Sequence, residues 1–108
     1  SSHHGEGEHD HDHDDFDSVA VPLPAGLSPE ELTARVAKAA EAEGVLRLKG
    51  FTAVPGKPMR LVVQGVGRRV GHHFDRAWGV SESRDGRLTV IGLKGFDLKS
   101  VEAALAGA

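Results

Sequence analysis

Residues 27–54 have the sequence LSPEELTARVAKAAEAEGVLRLKGFTAV, in which a clear helix is followed directly by a strand. Ser28 suits the N-cap of that helix, Pro29 its first position, and Glu31 the third, where its carboxylate completes a capping box. Gly44 is predicted to end the helix as its C-terminal cap. The helix is amphipathic, with an apolar stripe at helical spacing that consists of Leu32, Val36, Ala39 and Ala40.

Strand patterns lie on both sides of this helix. The segment 15–23 alternates apolar and polar residues, and Pro22 limits its end. Later strands are predicted over 45–54, 59–66 and 88–93, with a weaker candidate over 70–78. Residues 84–87, Arg-Asp-Gly-Arg, carry a hairpin signal directly before the last strand.

The chain is predicted to close with a second helix, which has Asp97 as its N-cap and buries Leu98, Val101 and Leu105. The resulting order is β-α-β-β-(β)-β-α. Its first β-α-β unit requires a right-handed crossover, and the short later connections favour antiparallel pairing. We therefore expect an α+β fold with a mostly antiparallel sheet and two helices packed on one face, a ferredoxin-like variant. Residues 15–108 form this domain, and residues 1–14 are expected to be a disordered His/Asp-rich linker.

The net charge of -3 is unevenly distributed along the 108 residues. Residues 1–17 contain seven carboxylates and no lysine or arginine, whereas the remaining 91 residues hold 13 basic groups against nine acidic ones. The basic residues are spread along the sequence and aromatic residues make up only 5%, so we do not expect a nucleic-acid partner. No apolar run is long enough to span a membrane and no signal peptide is visible, so the expected location is cytoplasmic.

The sharpest chemical pattern is the run 9–13, His-Asp-His-Asp-His. Imidazoles are good ligands for divalent transition metals, and carboxylates add oxygen donors and neutralise the cation. Binding should weaken below about pH 6, as the imidazoles become protonated. The alternatives are an expression tag and a merely solubilising acidic linker. The predicted metal-binding residues are His3, His4, His9, Asp10, His11, Asp12 and His13.

The rest of the chain offers few chemical groups. His72 and His73 are adjacent, so on a strand they point to opposite faces and could ligate one ion, with Asp75, only across an irregularity. Trp78 is the only tryptophan and is expected to be a core or interface anchor. With no cysteine, the chain has no thiolate ligands. It also lacks the GxxxxGK[ST] motif of a P-loop, and we predict no catalytic residue.

Several short segments, in this order, resemble the C-terminal domain of the CobW family. After the His/Asp-rich linker come Phe16-Asp17-Ser18 and the run 44–51, Gly-Val-Leu-Arg-Leu-Lys-Gly-Phe. The resemblance continues through residues 61–66, Leu-Val-Val-Gln-Gly-Val, and 74–78, Phe-Asp-Arg-Ala-Trp, and closes with 87–93, Arg-Leu-Thr-Val-Ile-Gly-Leu. It covers the chain from Asp15 onward.

The resemblance implies a longer protein with an N-terminal P-loop GTPase domain that bears a Cys-rich metal motif, followed by a His-rich linker and this domain. It further implies a metal chaperone of cobalamin biosynthesis that carries Co(II) or Zn(II), with GTP bound only by the N-terminal domain. Implied partners are that GTPase domain, a metal target such as cobaltochelatase, and a second copy of the chain. The competing interpretation is a pure interaction or oligomerisation module with an acidic spacer.

Overall fold

The computed structural model describes residues 15–108, and the elements follow the predicted order. The weak strand candidate over 70–78 is confirmed as a full strand, and Asp97 is confirmed as the N-cap of the last helix. The elements are β1 (Phe16–Pro22), α1 (Pro29–Ala39), β2 (Val45–Thr52), β3 (Met59–Val66), β4 (Arg69–Ala77), β5 (Arg87–Leu93) and α2 (Leu98–Leu105).

The five strands form one sheet in the order β1-β5-β2-β3-β4, in which all neighbours are antiparallel. The predicted α+β class is confirmed. β1 and β2 run in the same direction, and β5 lies between them. The predicted hairpin at residues 84–87 is wrong, because β4 lies at the edge of the sheet and β5 pairs with β1 and β2. β5 lies between β1 and β2, and its Leu88 and Val90 are completely buried in the core.

Both helices pack on one face of the sheet and against each other. Val36 of α1 and Val101 of α2 are fully buried in one apolar cluster with Leu48 of β2, Val63 of β3 and Val90 of β5. The molecule is therefore a two-layer sandwich with its core between the helices and one side of the sheet. Within residues 15–108, neither helix has the length and apolar character needed to cross a membrane.

The beginning of α1 is as predicted, but its end is not. The Ser28 hydroxyl accepts a hydrogen bond from the Glu31 backbone N–H at 3.1 Å, and the Glu31 carboxylate accepts from the Ser28 N–H at 3.5 Å. The helix ends at Ala39, earlier than the predicted cap at Gly44. Gly44 does have a positive φ of 87°, but it lies directly before β2, where a Cβ would come within 2.9 Å of the Phe96 Cβ.

Candidate docking surface

The side of the sheet that faces away from the helices is not covered by any helix or strand of residues 15–108. Leu48 of β2 is buried in the core, so Arg47 and Lys49 on either side of it point to this open side. Residues paired across neighbouring strands share a face, and Arg47 pairs with Val66, which pairs with Arg69. Two arginines of different strands therefore lie in one row.

Arg87 of β5 belongs to the same side, since it precedes the buried Leu88 and pairs with Phe51 of β2. The side chains of Arg47, Lys49, Arg69 and Arg87 therefore share the open side, and we call this surface the basic face. All four residues are exposed, and none of them forms an ion pair with any residue in 15–108. The sheet thus presents four uncompensated positive charges on one side.

A packed cluster lies beside the basic face. The Arg60 guanidinium stacks on the Phe51 ring, 3.9 Å from its centroid, in a cation–π contact. Val62, which pairs with Phe51, is only 2% exposed although it lies outside the helix-side core. Arg60 also donates from Nε to the Asp75 carboxylate at 3.1 Å, so the negative charge of Asp75 is compensated locally.

Glu82 closes this cluster from the loop after β4. Its two carboxylate oxygens accept from the Arg76 guanidinium at 2.8 and 2.7 Å, and one of them also accepts from the Gly79 N–H at 2.9 Å. These hydrogen bonds, with that from Arg76 the larger cause, lower the pKa of Glu82 to about 2. Similarly, the hydrogen bond from Arg60 lowers the pKa of Asp75.

The low pKa of Glu82 predicts how this cluster responds to acid. A depressed folded-state pKa stabilises the fold above the ordinary value of 4.5, and that contribution is lost as the pH falls towards 2. We expect the Glu82 side-chain carboxyl carbon to titrate near pH 2 in NMR, and Arg76→Gln to move its midpoint towards 4.5. Arg68→Gln, a change in the β3–β4 turn, is the control. A wild-type midpoint above 4 would contradict the geometry.

The two adjacent histidines point to opposite sides of β4. His72 pairs with the buried Val63 and faces the helices, where its Nδ1 lies 2.8 Å from the Thr33 hydroxyl. That hydroxyl also donates to the Pro29 carbonyl at 2.7 Å. His73 pairs with Val62 on the open side. A metal site built from His72, His73 and Asp75 is therefore ruled out, and residues 15–108 contain no group of three potential metal ligands.

Trp78 lies outside the core cluster, so of the two expected roles the core anchor is wrong, and the interface anchor stays a prediction. It is half-buried in the loop after β4, with the Arg84 guanidinium 6.0 Å from its ring centroid. Its indole Nε1 is buried and makes no hydrogen bond within the described part of the chain. Phe74, on the helix side of the same edge strand, is 37% exposed.

Sequence reasoning missed the basic face because its residues are far apart in the chain. One signal was available, since Arg47 and Lys49 alternate with the apolar Leu48 and so had to share a side of β2. The predicted metal ligands lie outside the described residues, so their role stays a prediction; they are His3, His4, His9, Asp10, His11, Asp12 and His13.

Residues 16–108 match the family model described as "Cobalamin synthesis protein cobW C-terminal domain". Two curated relatives have the name "Zinc chaperone CobW". The one from Sinorhizobium sp is 59% identical over 61 residues, which is 56% of this chain and 17% of the relative. The one from Pseudomonas aeruginosa is 62% identical over 52 residues, 48% of this chain and 14% of the relative. The matched part of the chain thus spans about a sixth of these relatives.

Solved structures show the same architecture. The crystal structure of the Zn(II)-bound YjiA GTPase from E. coli has a TM-score of 0.66 and 29% identity, and covers 86% of this chain and 29% of the YjiA chain. A Zn(II)-bound triple mutant of YjiA has a TM-score of 0.67 and 30% identity over the same shares. The five-stranded antiparallel sheet with two helices therefore has a counterpart in an experimentally determined protein.

Proposed function

Because the chain belongs to the family of CobW C-terminal domains, we propose that it is the C-terminal part of a metal chaperone in which residues 1–14 gather the metal. One observation carries this proposal: the His/Asp-rich run ends directly before the matched domain begins at residue 16. The domain holds the run next to the partners of the protein. GTP would be bound by the N-terminal domain of the longer protein.

The donor set of residues 1–14 fits a divalent transition metal as cargo. It contains five imidazoles and five carboxylates and no lysine or arginine, so the segment is anionic at neutral pH. Binding by such a segment does not require a preformed site, and its donors can be shared among several ions. This arrangement suits the collection and release of ions better than permanent storage.

Zinc is the metal we favour. Both curated relatives are named zinc chaperones, and the YjiA structure has Zn(II) bound. Imidazole and carboxylate both ligate Zn(II) at distances near 2.0–2.2 Å. Co(II), expected from the resemblance to the cobalamin branch, uses the same donors, so delivery of cobalt to a cobaltochelatase is the second candidate. Both metals belong in the test.

The test replaces His9, His11 and His13 together by alanine in the longer protein, expressed from its own gene. We expect normal cobalamin production when metals are plentiful and impaired production or growth when zinc or cobalt is limiting. His73→Ala, which removes an imidazole from the folded domain, is the matched control and should behave as the wild type. If the triple variant also behaves as the wild type under limitation, the segment is an acidic spacer and the interaction-module interpretation holds.

A further inference from the structure

The basic face and the N-terminal segment have opposite charges and belong to the same chain. Residues 1–14 contain five carboxylates, whereas the basic face presents four cations without an ion pair inside residues 15–108. We propose that residues 1–14 lie across the basic face while they hold no metal, and leave it when they bind divalent ions. The second half of this proposal rests on the metal binding proposed above.

The fold puts the segment within reach of the basic face. The segment joins the sheet at the start of β1, and Ser18 of β1 begins the row that continues through Ile91 and Arg47 to Arg69. From β1 to β4 there are four strand spacings of about 4.8 Å, roughly 19 Å in all. Fourteen extended residues can span up to about 46 Å. The segment therefore enters at the end of the sheet where Arg47 and Arg69 lie, and can cross it.

Electrostatics favours this occupant of the face, although each contact is weak. A single exposed ion pair contributes only about 0–1 kcal/mol. Here several pairs can form at once, and the tether keeps the segment at an effective concentration in the millimolar range. The interaction should be screened strongly by salt, since the Debye length falls to roughly 3 Å at 1 M.

Metal binding would weaken the attraction between the segment and the basic face. Each divalent ion adds two positive charges to a segment whose carboxylates number five, so two ions nearly neutralise it. Carboxylates that ligate the ion are also no longer free to bind arginine. Loading with metal would then uncover the basic face. A partner could therefore bind this face only when the segment carries metal.

Because the chain contains no cysteine, a spin label can be attached at a single introduced cysteine. A nitroxide attached to Ser2→Cys broadens NMR signals of protons that come near it. Gln64 lies on the open side of the sheet, paired with Lys49 and Gly71, so its side-chain amide reports on the basic face. We expect strong broadening of this amide in metal-free protein at low salt, little broadening of the amides of α1 and α2, and loss of the effect at 1 M salt.

Charge reversal provides the matched comparison. The double variant Lys49→Glu/Arg69→Glu should abolish the broadening at Gln64. The variant Lys57→Glu/Lys99→Glu changes the net charge equally but alters exposed residues of the β2–β3 turn and of α2, and should leave the broadening intact. Broadening that is equal on both sides of the sheet, or that survives the first double variant, would overturn the docking.

Zinc tests the second half of the proposal. In the labelled chain, excess zinc is expected to reduce the broadening at Gln64 at least several-fold. If zinc shifts the imidazole signals of the segment and the broadening persists, the release on metal loading is refuted. If the broadening is present and zinc does not bind the segment, the proposed chaperone function fails, while docking of the segment stands.

Discussion

Replacing Gly50 by alanine is expected to destabilise the domain by at least about 2 kcal/mol. Gly50 is buried in β2, the central strand, and a Cβ there would clash with the Arg87 carbonyl oxygen and lie 2.9 Å from the Leu88 Cα. Both contacts are with the backbone of β5, which cannot move aside without breaking the β2–β5 pairing. In a domain of this size the melting temperature should fall by roughly 10 °C or more.

Gly71→Ala is the matched control for this experiment. Gly71 lies on the edge strand β4, and a Cβ there would have nothing within 4 Å. Both substitutions restrict the unfolded chain equally, so that effect cancels in the comparison. Gly71→Ala should change the free energy of unfolding by no more than about 0.5 kcal/mol. Urea denaturation of the two variants measures the difference, and equal stabilities would contradict the packing of β2 against β5.

The second large effect is expected in metal binding. Replacing His9, His11 and His13 by alanine in the 108-residue chain removes three of the five imidazoles of residues 1–14. If each lost imidazole weakens binding by only about 1.4 kcal/mol, each costs about tenfold in affinity. Three such losses would multiply to about a thousandfold if they were fully additive, so we expect the affinity for Zn(II) or Co(II) to fall by at least about a hundredfold in calorimetric titrations at pH 7.5.

The pH dependence gives an independent check of the same ligands. Metal must displace protons from imidazoles whose ordinary pKa is about 6.5, so the affinity of the wild-type chain should fall steeply below about pH 6. The variant Asp10→Asn/Asp12→Asn retains all the imidazoles and should keep this pH dependence while binding more weakly. An affinity that is unchanged in the triple histidine variant would place the metal elsewhere on the chain.

The fold could be predicted from sequence wherever its signals were local. The capping box of Ser28 and Glu31 involves residues three apart, and the structure confirms it. The prediction of a hairpin at residues 84–87 was wrong because a turn signal does not say which strands become neighbours. The burial of β5 between β1 and β2 decides that, through contacts distant in sequence. Gly44 was predicted to be the helix cap because a glycine after an apolar helical stripe is a local signal. The close approach of Phe96, which is distant in sequence, explains the glycine better.

The candidate surface was harder to predict than the fold. Alternation alone places His72 and His73 on opposite sides of a strand, as the structure shows. The basic face, in contrast, requires the strand order and the register, because Arg47, Arg69 and Arg87 come from three separate strands. A run of donors such as residues 9–13 is visible in sequence because its chemistry is contained in neighbouring residues.

Residues 1–14, and not the folded domain, are proposed to bind the metal. NMR of the histidine ring protons during titration with zinc tests it most directly, since the seven histidines divide into five in the segment and two on β4. We predict that the signals of His9, His11 and His13 shift or broaden at the first additions of zinc, while those of His72 and His73 stay in place. Early shifts of His72 or His73, with the signals of the segment unchanged, would place the metal on the folded domain and contradict metal binding by residues 1–14.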